Sequence, residues 1–135
     1  MTLTDAGPLI AVIDRGEAAH ERCVAALERL RSPLVTTWPA FTEAMYVLGS
    51  AAGWPGQEAL WRLVGRGDLQ IAPTEGRLLD QARELMERYR DTPMDLADAT
   101  LVALAEDRGF RRIFSLDNDF RVYRLRNRKA LEMVP

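Results

Sequence analysis

Short apolar segments alternate with longer helical patterns along this chain, and this alternation constrains the fold more than any other feature. Between the short segments, apolar residues recur at helical spacing, as at Leu78, Ala82 and Leu85 within residues 77–89. Strands that alternate with helices are typical of a parallel sheet covered by helices on both faces. We therefore predict an α/β fold with a central, mainly parallel sheet of four to five strands. The predicted strands are residues 3–4, 34–36, 68–72, 113–116 and, at an edge, 130–134.

Proline and glycine residues mark where the predicted helices begin and end. Pro8 lies in the first turn of the first helix, and Gly109 follows the last helix in the position of a C-cap. The segment Trp54–Gly56 predicts a turn between the third and fourth helices. With helices on both faces of the sheet, the predicted architecture is a three-layer sandwich. The helices are predicted over residues 7–13, 18–31, 38–48, 57–64, 77–89 and 94–108.

The size and composition of the chain predict a single domain over residues 1–135. Hydrophobic residues make up 47% of it, which is enough for a core, and the one cysteine, Cys23, excludes an internal disulfide. No apolar run approaches the ~20 residues needed to span a bilayer. The N-terminus also lacks the pattern of a secretory signal. These features predict a cytoplasmic protein with no membrane partner.

Basic residues are concentrated near the C-terminus. Residues 108–129 contain eight basic and two acidic side chains, a balance of +6 within a chain whose net charge is −2. Such a basic tail beside an acidic body is able to guide a phosphate backbone towards a metal site. The alternative is an ordinary solvated surface rich in arginine, and the sequence leaves both open.

Two acids directly follow predicted strands, and two more lie on helices among apolar residues. Asp5 follows the first strand and Asp117 follows the fourth, which places both where open parallel sheets bind ligands. Asp98 shares a helix face with Leu101, and Glu43 lies in a similarly apolar helix. A lone buried carboxylate is costly, whereas a metal-bound carboxylate is tolerated. The four acids together predict one metal site.

Each acid also has a purely structural interpretation. Asp5 is a suitable N-cap for the first helix, and Glu43 fits a solvent-facing helix position. Asp95, one turn before Asp98, suits the N-terminal end of a helix. Asp117 and Asp119 are common turn residues. It is the combination of these acids in this topology that favours a metal site.

The residue types indicate which metal and which chemistry to expect. Carboxylate oxygens suit hard cations such as Mg²⁺ or Mn²⁺, and the absence of a Cys/His cluster argues against zinc. Metal ions held by carboxylates lower the pKa of bound water and clamp a scissile phosphate, so no histidine base is needed. This matters because His20 is the only histidine.

The chain resembles the PIN-domain ribonucleases, most closely VapC-type toxins of bacterial toxin–antitoxin modules. Four segments carry the resemblance, in the family's order: residues 3–10, 36–44, 93–99 and 114–120. The resemblance implies that Asp5, Glu43, Asp98 and Asp117 are the catalytic, metal-binding acids. It makes Asp95 and Asp119 supporting acids, and it leaves open whether Asp117 or Asp119 is the fourth principal acid. Groups that orient these acids or contact phosphate would be Thr37, Ser115 and Asn118.

The resemblance also implies a fold, an activity and partners. The fold would be PIN-like, and the activity would be Mg²⁺- or Mn²⁺-dependent endoribonucleolytic hydrolysis of RNA. The partners would be an RNA substrate, a second copy in a homodimer, and an antitoxin whose C-terminal segment enters the acidic groove. Trp54 and Trp61 fit either a partner surface or the core. The alternative function is a non-catalytic partner-binding module on a degenerate nuclease fold.

Overall fold

The computed structural model describes all 135 residues and contains one five-stranded sheet. Every neighbouring pair of strands is parallel, and the spatial order is β3-β2-β1-β4-β5. The parallel α/β fold predicted from the alternating pattern is confirmed, including an edge strand from the C-terminal residues. The strands are β1 Thr2–Thr4, β2 Leu34–Thr37, β3 Leu69–Ala72, β4 Arg112–Phe114 and β5 Glu132–Val134.

Helices cover both faces of this sheet and create two hydrophobic clusters. Successive strand residues enter different clusters: Leu34 packs with one and Val35 with the other, and Phe114 and Ile113 alternate in the same way. Helices α4 and α5 cover the Val35 face, and α1, α2 and α3 cover the Leu34 face. The helices are α1 Ala6–Ile13, α2 His20–Leu27, α3 Trp38–Gly65, α4 Arg77–Arg88 and α5 Leu96–Arg108, with a short 3-10 turn at Asn118–Arg121.

The third and fourth predicted helices form one element, α3, that is broken at Gly53. Gly53 has φ 65° and ψ −159°, a conformation that glycine adopts readily and other residues do not. The break precedes the predicted turn at Trp54–Gly56, because Pro55 is tolerated in the first turn of the segment that follows Gly53. The predicted turn therefore lies slightly too late along the chain, and the helix before it continues beyond Leu48.

Several other boundaries also differ from the prediction, and the ends of α2 and β4 bear most on the fold. Helix α2 ends at Leu27 rather than at residue 31, and the residues that follow lead into β2. Pro33 disfavours helical backbone at the residue before it, and Thr2 donates hydrogen bonds to the carbonyls of Pro33 and Arg31, at 3.0 and 2.9 Å. Strand β4 ends at Phe114, so that Ser115 lies just beyond it, at the carboxyl end of the sheet.

Candidate metal centre

Three acids from separate parts of the chain meet at the carboxyl ends of β1 and β4. Asp5 directly follows β1, Asp117 lies three residues after β4, and Asp98 lies in the first turn of α5. One carboxylate oxygen from each of these residues lies within 4.8 Å of the others. We call these three residues the acid cluster.

Asp5 is buried in the floor of the cluster and is only 8% exposed. Its carboxylate accepts hydrogen bonds from the Ala6 N–H at 2.7 Å and the Ser115 hydroxyl at 3.1 Å. Burial, together with the charges of Glu43 and Asp117, raises the pKa of Asp5 to about 6 despite these two bonds. Asp5 therefore caps α1, as its structural interpretation predicted, and also belongs to the cluster.

Asp98 is 5% exposed and carries the most strongly raised pKa among the acids of the site. Burial, followed by the charge of Asp95, raises the pKa of Asp98 to about 7. The Tyr123 hydroxyl donates a hydrogen bond to Asp98 Oδ2 at 2.9 Å and opposes this rise. Asp95 is itself the N-cap of α5, because its carboxylate accepts the Asp98 N–H at 2.8 Å.

Asp117 is half-buried and is linked to Asp5 through a single hydroxyl group. The Ser115 hydroxyl accepts the Asp117 N–H at 3.0 Å while it donates to Asp5. The Asp117 carboxylate accepts the Asp119 N–H at 2.9 Å and so caps the 3-10 turn. Ser115 thereby fixes the relative position of two members of the cluster.

Glu43 and Asp119 lie around the cluster rather than in it. Glu43 has an exposed side chain on α3, but partial loss of solvation on the side facing the protein raises its pKa, and so do the charges of Asp95 and Asp117. The pKa of Asp119 is raised by loss of solvation and then by the neighbouring charge of Asp117. These mutual effects place both carboxylates within electrostatic reach of the cluster.

The other predicted site residues occupy different environments. Thr37 is fully buried, and its hydroxyl lies 2.7 Å from the Thr100 hydroxyl. The Thr100 hydroxyl donates a hydrogen bond to the Ala97 carbonyl, so Thr37 contacts the N-terminal part of α5. Asn118 is exposed, and its side-chain oxygen accepts a hydrogen bond from Arg121 Nε at 3.2 Å. The roles of Thr37 and Asn118 in catalysis stay predictions.

Sequence reasoning missed Tyr123. It is 2% exposed, packs edge-to-face on Phe120, and lies within reach of two acceptors, Asp98 Oδ2 and the Pro93 carbonyl at 3.2 Å. In the sequence it stands in an arginine-rich segment, 25 residues from the acid it contacts. No local pattern marks that contact, because it depends on how the tail packs against α5.

The acid cluster fits a hard divalent cation. All of its donors are carboxylate oxygens, the ligands that Mg²⁺ and Mn²⁺ prefer, and no nitrogen or sulfur donor lies among them. Like charges held this close repel one another, which is one cause of the raised pKa values of Asp5 and Asp98. A bound cation would remove that repulsion.

The sheet order and the acid cluster define a class: parallel α/β proteins with a carboxylate pocket at the carboxyl ends of adjacent strands. Comparison of the sequence with known families shows which family within that class the chain belongs to. The PIN domain family matches residues 2–125, and the chain belongs to this family. The resemblance inferred from the four acidic segments is thereby confirmed.

Similar proteins include a ribonuclease and a toxin. The chain is 25% identical over 115 residues, 85% of each protein, to ribonuclease VapC26 of Mycobacterium tuberculosis. It superposes with a TM-score of 0.83 on the crystal structure of M. tuberculosis VapC20, described as a sarcin–ricin loop cleaving toxin. That match has 18% identity and covers 90% of this chain and 94% of VapC20.

A second solved structure with the same fold is a toxin–antitoxin complex from Klebsiella pneumoniae. The match has a TM-score of 0.68 and 15% sequence identity, and it covers 87% of this chain and 88% of the matched chain in that complex. At such low identity, both structures establish the fold. In addition, none of the helices is long and apolar enough to cross a lipid bilayer.

Proposed function

We propose that this protein is a divalent-metal-dependent endoribonuclease and the toxin of a VapBC-type toxin–antitoxin pair, acting in the cytoplasm. The observation that carries the proposal is the convergence of Asp5, Asp98 and Asp117 within 4.8 Å in a PIN domain. The curated relative that is named a ribonuclease favours an enzyme over a non-catalytic partner-binding module.

In this proposal the acid cluster holds Mg²⁺ or Mn²⁺, and Glu43 and Asp95 add negative charge around it. Ser115 orients Asp5, and Tyr123 orients Asp98, so that their carboxylates are positioned before the ion arrives. When bound, the ion supplies Lewis-acid stabilisation for charge that develops on a phosphate group. We favour Asp117 over Asp119 as the fourth principal acid, because Asp117 belongs to the cluster.

The test is cleavage of a fluorogenic RNA with Mg²⁺ or Mn²⁺ and with an excess of chelator. Asp98→Asn keeps the shape of the side chain and its contact with Tyr123 but removes the charge, so we expect at least a ~100-fold loss of rate. Asp80→Asn on the exposed side of α4 is the matched control and should cleave like the parent.

Two results would contradict the proposal. One is full activity of the parent in chelator, and the other is equal cleavage by purified Asp98→Asn. Preparing both variants in parallel also exposes any contaminating ribonuclease, because a contaminant would cleave equally in all samples.

An antitoxin and a second copy of the chain are the protein partners that we propose. The support is an unusual set of exposed aromatic residues on α3: Tyr46 is 76% exposed, Trp54 61%, Trp38 49% and Trp61 45%. Trp54 and Trp61 are therefore not core residues, although Trp61 packs edge-to-face on Phe41. Aromatic residues exposed in this number are typical of partner surfaces.

Sedimentation velocity of the purified chain tests the homodimer. Co-purification with the product of the adjacent reading frame tests the antitoxin. A protein that is monomeric at all concentrations and has no neighbouring partner gene would contradict this part of the proposal while leaving the nuclease activity open to its own test.

A further inference from the structure

The basic residues of the C-terminal tail lie on two different sides of the molecule. Arg121 lies in the turn that Asp117 caps, and so it stays on the side of the acid cluster. Arg111 directly precedes β4, and Lys129 lies three residues before β5, which places them at the amino ends of the strands. The tail as a whole therefore does not lead towards the acids.

Two more arginines join this amino-terminal edge. Arg29 and Arg31 lie in the segment before β2, and the Thr2 hydroxyl at the start of β1 holds the Arg31 carbonyl at 2.9 Å. Together with residues before β4 they surround an open depression of about 490 Å³, with no carboxylate in its lining. We call Arg29, Arg31, Arg111 and Arg112 the arginine surface.

Three of these four guanidinium groups have no partner within the chain. Arg112 is paired with Glu132 at 3.2 Å, but Arg29, Arg31 and Arg111 make no side-chain hydrogen bond and no ion pair. Each guanidinium presents five N–H donors in a planar fork that matches a phosphate. Three free forks around one depression, in a chain of net charge −2, form a local site for a polyanion.

We propose that the arginine surface is a second RNA-binding site, which holds the backbone of a substrate whose scissile phosphate lies at the acid cluster. This inference rests on the proposed ribonuclease function. Strands of three to four residues separate the two sites by roughly 10–15 Å along the sheet. An RNA that engages both must pass around the edge of the molecule, so a short oligonucleotide reaches only one of them.

The composition of the surface favours RNA over an acidic protein. Phe110 is half-buried in the lining beside the arginines, and an aromatic side chain at such a surface is a common stacking partner for an RNA base. A stable protein interface needs about 800 Å² per partner around an apolar centre. The exposed tryptophans lie on α3, and Met1 is the only exposed large hydrophobic residue in the lining of this depression.

The test compares two triple variants that lose the same charge. Arg29→Ala/Arg31→Ala/Arg111→Ala removes the free arginines. Arg62→Ala/Arg77→Ala/Arg83→Ala is the control, because each of those arginines is exposed and already paired with a carboxylate. Binding of a labelled hairpin RNA of about 30 nucleotides is followed by fluorescence anisotropy in chelator, at about 50 and 200 mM KCl. Circular dichroism confirms that both variants are folded.

We expect the first variant to bind the hairpin about 10-fold more weakly, with a salt slope smaller by about 2–3, as the loss of three phosphate contacts predicts. The control should bind like the parent. With Mn²⁺ present, the first variant should cleave the hairpin with a higher KM than the parent. It should cleave an oligonucleotide of about 4 nucleotides like the parent, because a strand of that length is about as short as the smallest binding sites for single strands.

Parent-like binding of the hairpin by the first variant would overturn the inference, as would equal losses in both variants. Polyglutamate is a second competitor, added at the same concentration of negative charge as unlabelled RNA. If it displaces the labelled RNA as well as unlabelled RNA does, the inference is overturned in favour of an acidic protein ligand. A parent that binds RNA through these arginines but never cleaves it would contradict only the proposed function, because the binding assay contains no metal.

Discussion

Each acid of the cluster makes a structural contact with the same carboxylate that would bind a metal. Asp5 caps α1, Asp117 caps the turn after β4, and Asp98 accepts the hydroxyl of Tyr123. The capping and metal-binding interpretations of these residues are therefore not exclusive. The caps hold the carboxylates in fixed orientations at the place where a cation would need them.

At this scale, the raised pKa values predict how the metal-free protein responds to pH. A carboxyl group whose pKa is raised in the folded state contributes stability below its unfolded pKa, and this contribution is lost as the pH rises through the folded value. For Asp98 that window runs from 3.8 to about 7. Asp98→Asn should therefore be more stable than the parent at pH 8, by on the order of 2 kcal/mol, and its advantage should be smaller at pH 5, which lies inside the window.

Urea unfolding in chelator at both pH values measures this difference. Asp80→Asn, which alters an exposed acid, should show no such dependence on pH. A variant Asp98→Asn that is less stable than the parent at pH 8 would show that the charge on Asp98 is compensated within the metal-free protein.

Tyr123 is predicted to be a positioning residue that acts through Asp98. Tyr123→Phe keeps the ring packed on Phe120 and removes only the hydroxyl, so Mn²⁺ affinity should fall roughly 10-fold. The hydroxyl lowers the pKa of Asp98, so its loss should move the acidic limb of the pH–rate profile to higher pH. Calorimetry with Mn²⁺ and a pH–rate profile provide the two measurements. An unchanged profile with reduced thermal stability would indicate that Tyr123 serves packing alone.

At the scale of the elements, the break in α3 is the feature that departs most from regular geometry. Gly53 has φ 65° and ψ −159°, a region that is essentially restricted to glycine. Gly65, the last residue of the same element, has ordinary helical geometry and open space beside its α-carbon. The two glycines therefore form a matched pair on one helix.

Gly53→Ala should destabilise the protein by about 1–3 kcal/mol, since alanine is strained in that conformation. Gly65→Ala should be neutral or stabilising by up to about 1 kcal/mol, because it restricts the unfolded chain without strain. Chemical unfolding of both variants gives the comparison. Equal effects of the two substitutions would mean that the chain passes the break without needing a glycine at residue 53.

At the scale of the whole molecule, the acid cluster connects parts that are distant in the chain. Asp5 and Asp117 follow two adjacent central strands, β1 and β4, and Asp98 belongs to a helix that covers one face of the sheet. A cation bound by all three would link the sheet to its covering layer in the native state only. Metal binding should consequently stabilise the entire fold.

Mn²⁺ at a free concentration of about 100 times its Kd should add about 2.7 kcal/mol to the free energy of unfolding. At one fixed Mn²⁺ concentration the gain should be larger at pH 8 than at pH 6, because Asp5 and Asp98 must lose protons before they bind the ion. Thermal scans with and without Mn²⁺ measure it, and Asp5→Asn should reduce it. An identical shift in Asp5→Asn and the parent would place the ion elsewhere.

Much of the fold was predictable because it rests on local patterns. Alternation between strands and helices identified the parallel sheet, and the apolar period of residues 77–89 identified α4 within one residue. One error came where a long-range contact decides the outcome, and another where a proline fits both a turn and the start of a helix. Helix α2 ends early because the following segment must join β2, and α3 is continuous except at Gly53 because Pro55 fits a first turn.

By itself, the sequence determined which strands alternate with which helices and which acids follow the strands, because side-chain period, turn residues and strand ends are properties of neighbouring positions. The tertiary structure alone decided that Asp5, Asp98 and Asp117 meet while Glu43 stays outside them, that Tyr123 supports Asp98, and that the basic tail divides between two edges of the sheet. Those relations join residues far apart in the chain. They depend on strand order and on the packing of α5 and the tail, which no local pattern encodes.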